Sequence, residues 1–374
     1  MGLMAVTSCL HTISPAKVLR GEGAWQQALP VIAGLTQRPL LLGRSQATAE
    51  LRRQLAAELR ATGIEPATAE LHHDCCEQDL QRLLRLAQQQ DGANRWDGVL
   101  AAGGGKVLDA GKLLAQRLGL PCITVPTSAA TCAGWTALAN LYSPAGAFTA
   151  DVTLERCPEL LVFDHGLLRQ APARTLASGI ADAMAKWYEA SVSSGTSGDG
   201  LVQQAVQMAR VLRDQLLLEG EAALAEPGGE AWVRVAEACS LTAGLIGGLG
   251  GARCRTVAAH AVHNGLTQLA ASHGRLHGEK VGFGILVQLR LEEQVGGNRL
   301  ASQARRQLIS LFRRLALPIT LADLGLGDAS LAELERACHF ACRDDSDLHQ
   351  LPFRVDATDL LTALVSTTAE LRVS

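Results

Sequence analysis

The stretch WDGVLAAGGGKVLDAGKLLAQRLG, residues 96–119, decides the fold. It opens as a short apolar run, passes through three glycines and a lysine, and continues with apolar residues at helical spacing until Gly119 and Pro121 stop it. A buried strand that runs through glycines into a helix is the building unit of a parallel sheet covered by helices. Glycines at 103–105 let backbone amides approach an anion closely, and the following helix start adds partial positive charge. A pyrophosphate suits that chemistry. GGGK is neither the full P-loop nor the GxGxxG fingerprint, so a plain strand–helix turn remains an alternative on these residues alone.

Working outward, the same alternation recurs. PLLLG (39–43) reads as a buried strand, followed by a helix that stops at Gly63. EQDLQRLLRLAQQQDG (77–92) reads as a second amphipathic helix, and CITVPTS (122–128) as the strand after the glycine unit. PTSAATCAGWTALANLY (126–142), rich in small and hydroxyl residues, is placed to wrap a ligand over the same sheet edge. After APARTLASG (171–179) the pattern changes to long Ala- and Leu-rich helices, with SSGTSGDG (193–200) and EPGG (226–229) as loops. The expectation is an α/β domain over 1–165 with a Rossmann-like parallel sheet, followed by an all-helical domain over 166–374. A cleft between them is the expected site.

Composition narrows the function. The 374 residues are 48% hydrophobic and 19% charged, a globular balance, with only 3% aromatics, so Ala, Leu, Val and Ile must build the core. A net charge of −3 with scattered arginines offers no basic field for nucleic acid, which leaves a small-molecule client. The ten cysteines do not read as a disulfide framework: they are dispersed, and Cys75 and Cys76 are adjacent. The start, MGLMAVTSCLHTISPAK, lacks the pattern of a signal peptide, and no apolar run approaches the ~20 residues of a spanning helix, so a cytoplasmic protein is expected. Cys338, His339 and Cys342 match zinc spacings poorly and read as a buried helical face.

Four of the ten histidines, His260, His263, His273 and His277, crowd one segment. Imidazole titrates near neutrality and binds borderline metals, so the cluster points to a reaction centre; core or solvated histidines are the plain alternative. His273 reads as an exposed loop residue.

Taken together, these stretches resemble the iron-containing alcohol dehydrogenase superfamily, in its glycerol-dehydrogenase-like branch. KVLRGEGAW (17–25) resembles the family's opening strand and turn, GGGKVLDAGK its GGGKxLDxAK loop, VPTSAAT its VPTxAST segment, and GIADAMAKWYEA (179–190) its GxGDALAxWFEA. AAHAVHNGLT and HGEKVGFGILVQL resemble the metal-binding helices. The resemblance implies the fold shared with dehydroquinate synthase, a divalent metal on Asp182, His260 and His277, and cofactor contacts at Gly104, Gly105, Lys106, Thr127, Thr136, Leu138 and Tyr142. Zinc is favoured over iron. Asp182 is expected to open a helix, and His263, one turn from His260, to relay a proton. A homo-oligomer is also expected.

Two departures bear on specificity. Where glycerol dehydrogenases place an Asp after the AST stretch, this chain has Cys132, and Ala130 stands in place of a Ser. A thiol cannot accept hydrogen bonds from glycerol as a carboxylate does, and losing the anion favours a negatively charged substrate. The segment is closer to hydroxycarboxylate dehydrogenases, so interconversion of a 2-oxo and a 2-hydroxy acid is expected, with Lys186 a candidate partner for a distal carboxylate. A polyol or aldehyde substrate is the alternative, and a dehydroquinate-synthase-like lyase a remote one. After the PLLLG strand, Arg44 and Ser45 stand where many members carry an acid, which favours NADP(H) over NAD(H).

Overall fold

The computed structural model describes residues 10–90, 92 and 95–369, so the MGLMAVTSC part of the chain start lies outside it. The first half follows the order β1 (Lys17–Gly21), α1 (Ala24–Ala33), β2 (Pro39–Gly43), α2 (Ala49–Ala61), β3 (Ala67–Glu70), α3 (Glu77–Gln88), β4 (Gly98–Gly103), α4 (Gly105–Leu118) and β5 (Cys122–Pro126). A hairpin, β6 (Leu138–Tyr142) and β7 (Phe148–Thr153), precedes β8 (Leu160–Asp164). The second half holds α5 (His165–Leu168), α6 (Ala173–Ser194), α7 (Gly200–Ala225), α8 (Glu230–Glu237), α9 (Ala243–Gly250) and α10 (Ala258–Leu266). It closes with α11 (His277–Gln294), α12 (Arg299–Arg314), α13 (Leu331–Ala341) and α14 (Ala357–Ala369). No described helix is long and apolar enough to cross a membrane.

Six strands pair in parallel in the order β1-β8-β5-β4-β2-β3. Burial on both faces explains the unbroken apolar runs. Leu40 and Leu42 pack with Leu80, Leu83 and Leu114 on one face, while Leu41 packs with Trp25, Ile32, Leu55 and Leu59 on the other. Every described element after Asp164 is helical. Its apolar faces form two clusters, one around α6 and α7, the other around α10, α13 and α14, with α11 contributing to both.

Three local expectations are corrected. Residues 173–179 already belong to α6, so Asp182 lies in the third turn of a 22-residue helix and does not open one. The same helix continues to Ser194, leaving 195–199 as the loop. His273 is half-buried, with its Nε2 2.8 Å from the Thr267 carbonyl oxygen. Cys338 is buried in the apolar cluster while His339 is exposed, so the helical-face reading holds. Every described cysteine is a free thiol.

Close approaches set the site. A Cβ at Gly179 would overlap the Ala129 carbonyl oxygen, and one at Gly278 would overlap that of Ser178. Glycine at both positions lets α6 press against the loop after β5 and lets the start of α11 press against α6, where the Gly278 amide donates to Ser178 Oγ at 3.1 Å. Asp182 and His277 are brought together by that contact.

Candidate active site

Asp182, Lys186 and Glu189 recur at i, i+4 and i+7, so they share one face of α6. All three are buried. That face meets His260 in the first turn of α10 and His277 at the start of α11. His260 Nε2 lies 3.3 Å and His277 Nε2 3.5 Å from Asp182 Oδ1. Neither contact is aligned as a hydrogen bond, and Oδ1 has no hydrogen-bond partner among the described residues. A buried orphan oxygen is costly unless something else satisfies it.

The partners of the outer ring nitrogens assign the tautomers. His260 Nδ1 lies 2.7 Å from Glu189 Oε2, and Glu189 also accepts from the Val257 and His260 amides at 2.7 and 3.0 Å. His277 Nδ1 lies 3.0 Å from His263 Nε2, whose Nδ1 in turn lies 2.9 Å from Asn264 Oδ1. If each outer nitrogen carries its hydrogen, both Nε2 lone pairs face the Asp182 oxygen. Lone pairs converge in this way on a cation. In a tetrahedral zinc site, bonds of about 2.0–2.1 Å place ligand atoms roughly 3.3–3.4 Å apart, which the observed separations approach. The residues present therefore fit a divalent ion.

A proton and a metal ion compete for the same ring nitrogens, and a bound ion would release the proton. Burial pushes the Asp182 carboxyl up, but the two neighbouring imidazoles outweigh it and hold the group well below the usual carboxylate range. Burial disfavours charge on His260, yet Glu189 and Asp182 push it up to about 9. His263 and His277 are both pushed down, mainly by burial. Replacing Glu189 with Gln keeps the shape but removes the charge that holds His260. We expect metal affinity to fall about 10–100-fold, measured by competition with a chromogenic chelator; an unchanged affinity would separate Glu189 from the site.

The trio opens on a cavity of about 540 Å³ whose far wall is the glycine turn. Gly104 caps α4 with an extended backbone, φ −77° and ψ 177°, and a Cβ built on it meets nothing within 4 Å. Gly105 begins the helix, and a Cβ there would lie 2.7 Å from Thr131 Cγ2. Arg44, Ser45, Gly104, Gly105, Lys106, Thr127, Thr136, Leu138 and Tyr142 all line this one cavity, as do Cys132, Lys186, Asp182, His260 and His277. Ala130 lines it too, without a hydroxyl. Among the expected site residues only His263 does not; it stands one turn from His260 and behind His277, with its Nε2 3.0 Å from His277 Nδ1.

Several participants escaped the sequence reading. Asp74, in the loop after β3, pairs with both Arg44 and Lys106. The end of β2 therefore does face a carboxylate, supplied by the neighbouring loop. Lys112 is buried, bonds the Thr136 carbonyl at 3.0 Å and pairs with Asp109 at 3.0 Å, which makes the second lysine of GGGKVLDAGK a latch between α4 and the loop. The hairpin hydrogen-bonds the end of α10 through the Phe148 amide and Thr267 Oγ1, 2.9 Å apart. Burial pushes the Cys132 thiol up, so it stands as a neutral group. His73, Cys76 and Asp79 also gather ligand atoms, but Asp79 already accepts the His72 and His73 amides at 2.8 and 2.7 Å and pairs with Arg82 at 2.9 Å. That cluster is accounted for as bracing at the start of α3.

Comparison with known proteins identifies the architecture. Residues 15–165 match the family model for iron-containing alcohol dehydrogenase. An uncharacterized oxidoreductase of Synechocystis is 58% identical over 79% of this chain and 76% of its own length. Hydroxycarboxylate dehydrogenase A of Escherichia coli is 36% identical over 77% of this chain and 78% of its own. The chain belongs to the iron-containing alcohol dehydrogenase family. A solved member, a probable glycerol dehydrogenase from Sinorhizobium meliloti, superposes with a TM-score of 0.83 at 29% identity, covering 96% of this chain and 98% of its own. Members of the iron-containing alcohol dehydrogenase family bind NAD(P) and a divalent metal, and this chain is a dehydrogenase acting on CH–OH groups.

Proposed function

We propose that this dehydrogenase interconverts a 2-oxo acid and a 2-hydroxy acid, using Asp182, His260 and His277 to hold zinc. Cys132 carries the reading. Its thiol borders the cavity beside Lys186 and Asp182, and a neutral thiol neither gathers a polyol's hydroxyls nor repels a substrate carboxylate. The relative named hydroxycarboxylate dehydrogenase A supports this choice; the neighbour named as a probable glycerol dehydrogenase keeps a polyol substrate as the second reading.

When bound, the metal would polarise the reacting oxygen as a Lewis acid, and the nicotinamide would carry the hydride. The chain's own groups do the rest. Gly104 and Gly105 amides with Lys106 bind the pyrophosphate at the α4 start. Thr127, Thr136, Leu138 and Tyr142 wall the nucleotide against the sheet edge. Glu189 fixes the His260 tautomer and His263 that of His277.

For the cofactor we favour NADP(H). Arg44 and Lys106 against Asp74 leave a net single positive charge at the strand end, which suits a 2′-phosphate. Arg44→Ala is then expected to lower kcat/KM with NADPH about tenfold more than with NADH; an equal loss would favour NAD(H). The deciding assay follows nicotinamide absorbance with both reduced cofactors against 2-oxo acids, dihydroxyacetone and simple aldehydes. Turnover of 2-oxo acids is expected, and turnover confined to dihydroxyacetone would establish the polyol reading instead. Metal analysis should find zinc.

A further inference from the structure

Five lysines and arginines line the cavity, and four are committed. Arg44 and Lys106 pair with Asp74, Arg343 pairs with Asp345 at 2.6 Å, and Lys186 Nζ donates to the Arg255 carbonyl at 3.0 Å. The fifth is Arg255. It is half-buried, and its guanidinium has no hydrogen-bond or ion-pair partner among the described residues. We propose that Arg255 grips the carboxylate of the substrate through a paired hydrogen bond and thereby sets a preference for 2-oxo acids over uncharged carbonyl compounds; this rests on the hydroxy-acid reading above.

The surroundings pin Arg255 to the helix that carries Asp182. Lys186, one turn beyond Asp182, holds the Arg255 carbonyl, and two residues later the Val257 amide donates to Glu189 at 2.7 Å. Between them, Thr256 Oγ1 donates to Asp347 at 2.5 Å. The stem lies on Gly247, where a Cβ would sit 2.8 Å from Arg255 Cγ, so the glycine leaves the slot the stem fills. Arg255 also borders a second cavity of about 140 Å³, and no carboxylate of the described residues lines that one. A half-buried guanidinium without a counter-ion has lost part of its hydration with little in return, and an arriving carboxylate restores the balance. The planar fork matches a carboxylate bidentately, which the ammonium of Lys186 cannot do. Lys186 is thereby reassigned from a carboxylate partner to the residue that positions Arg255.

Arg255→Met keeps the stem on Gly247 and removes the fork. The test compares 2-oxobutanoate with 1-hydroxy-2-butanone, which replaces the carboxylate by CH2OH. Relative to the parent enzyme, the ratio of kcat/KM for acid over hydroxyketone should fall about 100-fold, with Arg255→Lys intermediate. Calorimetric binding of oxamate, a non-reacting 2-oxo acid analogue, should weaken in parallel, and its salt dependence should flatten in Arg255→Met. A ratio within about threefold of the parent value would overturn the role of Arg255 while leaving the hydroxy-acid reading intact. A parent enzyme that reduces the hydroxyketone but no 2-oxo acid would overturn that reading, and this proposal with it.

Discussion

Replacing Asp182 with Ala is expected to abolish dehydrogenase activity while leaving a folded protein. The carboxylate supplies the one oxygen on which both imidazole Nε2 atoms converge, at 3.3 and 3.5 Å, and no hydrogen-bond donor among the described residues satisfies it. Its value to the fold is therefore small, and its value to a bound cation is large. Losing several kcal/mol of charge stabilisation at the reacting oxygen lowers kcat/KM on the order of 10³-fold or more. Two thermal scans separate binding from folding. Adding zinc at about 100 times its dissociation constant should stabilise the parent protein by about 2.7 kcal/mol. The metal-free variant should melt within a few degrees of the metal-free parent and show no response to zinc. A variant that still binds zinc and turns over would remove Asp182 from the account.

The second large effect lies at the opposite wall. Gly104 has an extended backbone that any residue adopts, and a Cβ there meets no atom within 4 Å. Gly104→Glu should thus fold normally and fill the space at the start of α4 with a carboxylate. The helix N-terminus attracts that carboxylate for the same reason it attracts a pyrophosphate. Nucleotide affinity should fall about 100-fold or more, since both steric exclusion and like-charge repulsion oppose binding. Fluorescence titration of reduced nicotinamide measures the loss directly, while zinc binding at the trio should be retained. Unaltered nucleotide affinity would place the dinucleotide elsewhere in the cavity.

What could be read from the sequence divides along physical lines. The strands around residues 39–43, 98–103 and 122–126 were legible because burial on both faces leaves uninterrupted apolar runs flanked by glycine and proline. The gathering of Asp182, His260 and His277 was legible through motif resemblance and the crowding of histidines. Asp182 was misplaced within its helix because the preceding ARTLASG carries small residues that a sequence reading takes for a loop. The hairpin at 138–153 was missed although its second strand, FTADVT, alternates apolar and polar residues; of that strand only Phe148 is buried. Asp74, Glu189 and Arg255 were invisible for another reason: each acts through a contact between distant segments, with 30, 71 and 69 residues separating Asp74 from Arg44, Glu189 from His260, and Lys186 from Arg255. No local spacing encodes such pairs.

The most direct test of the central claim is an anomalous-difference map from crystals grown with zinc and nucleotide, recorded at the zinc edge. The account predicts one strong peak about 2.0–2.2 Å from Asp182 Oδ1, His260 Nε2 and His277 Nε2, facing a nicotinamide ring across the cavity. A map with no peak among those three atoms, or with its strongest protein-bound peak elsewhere, would contradict it.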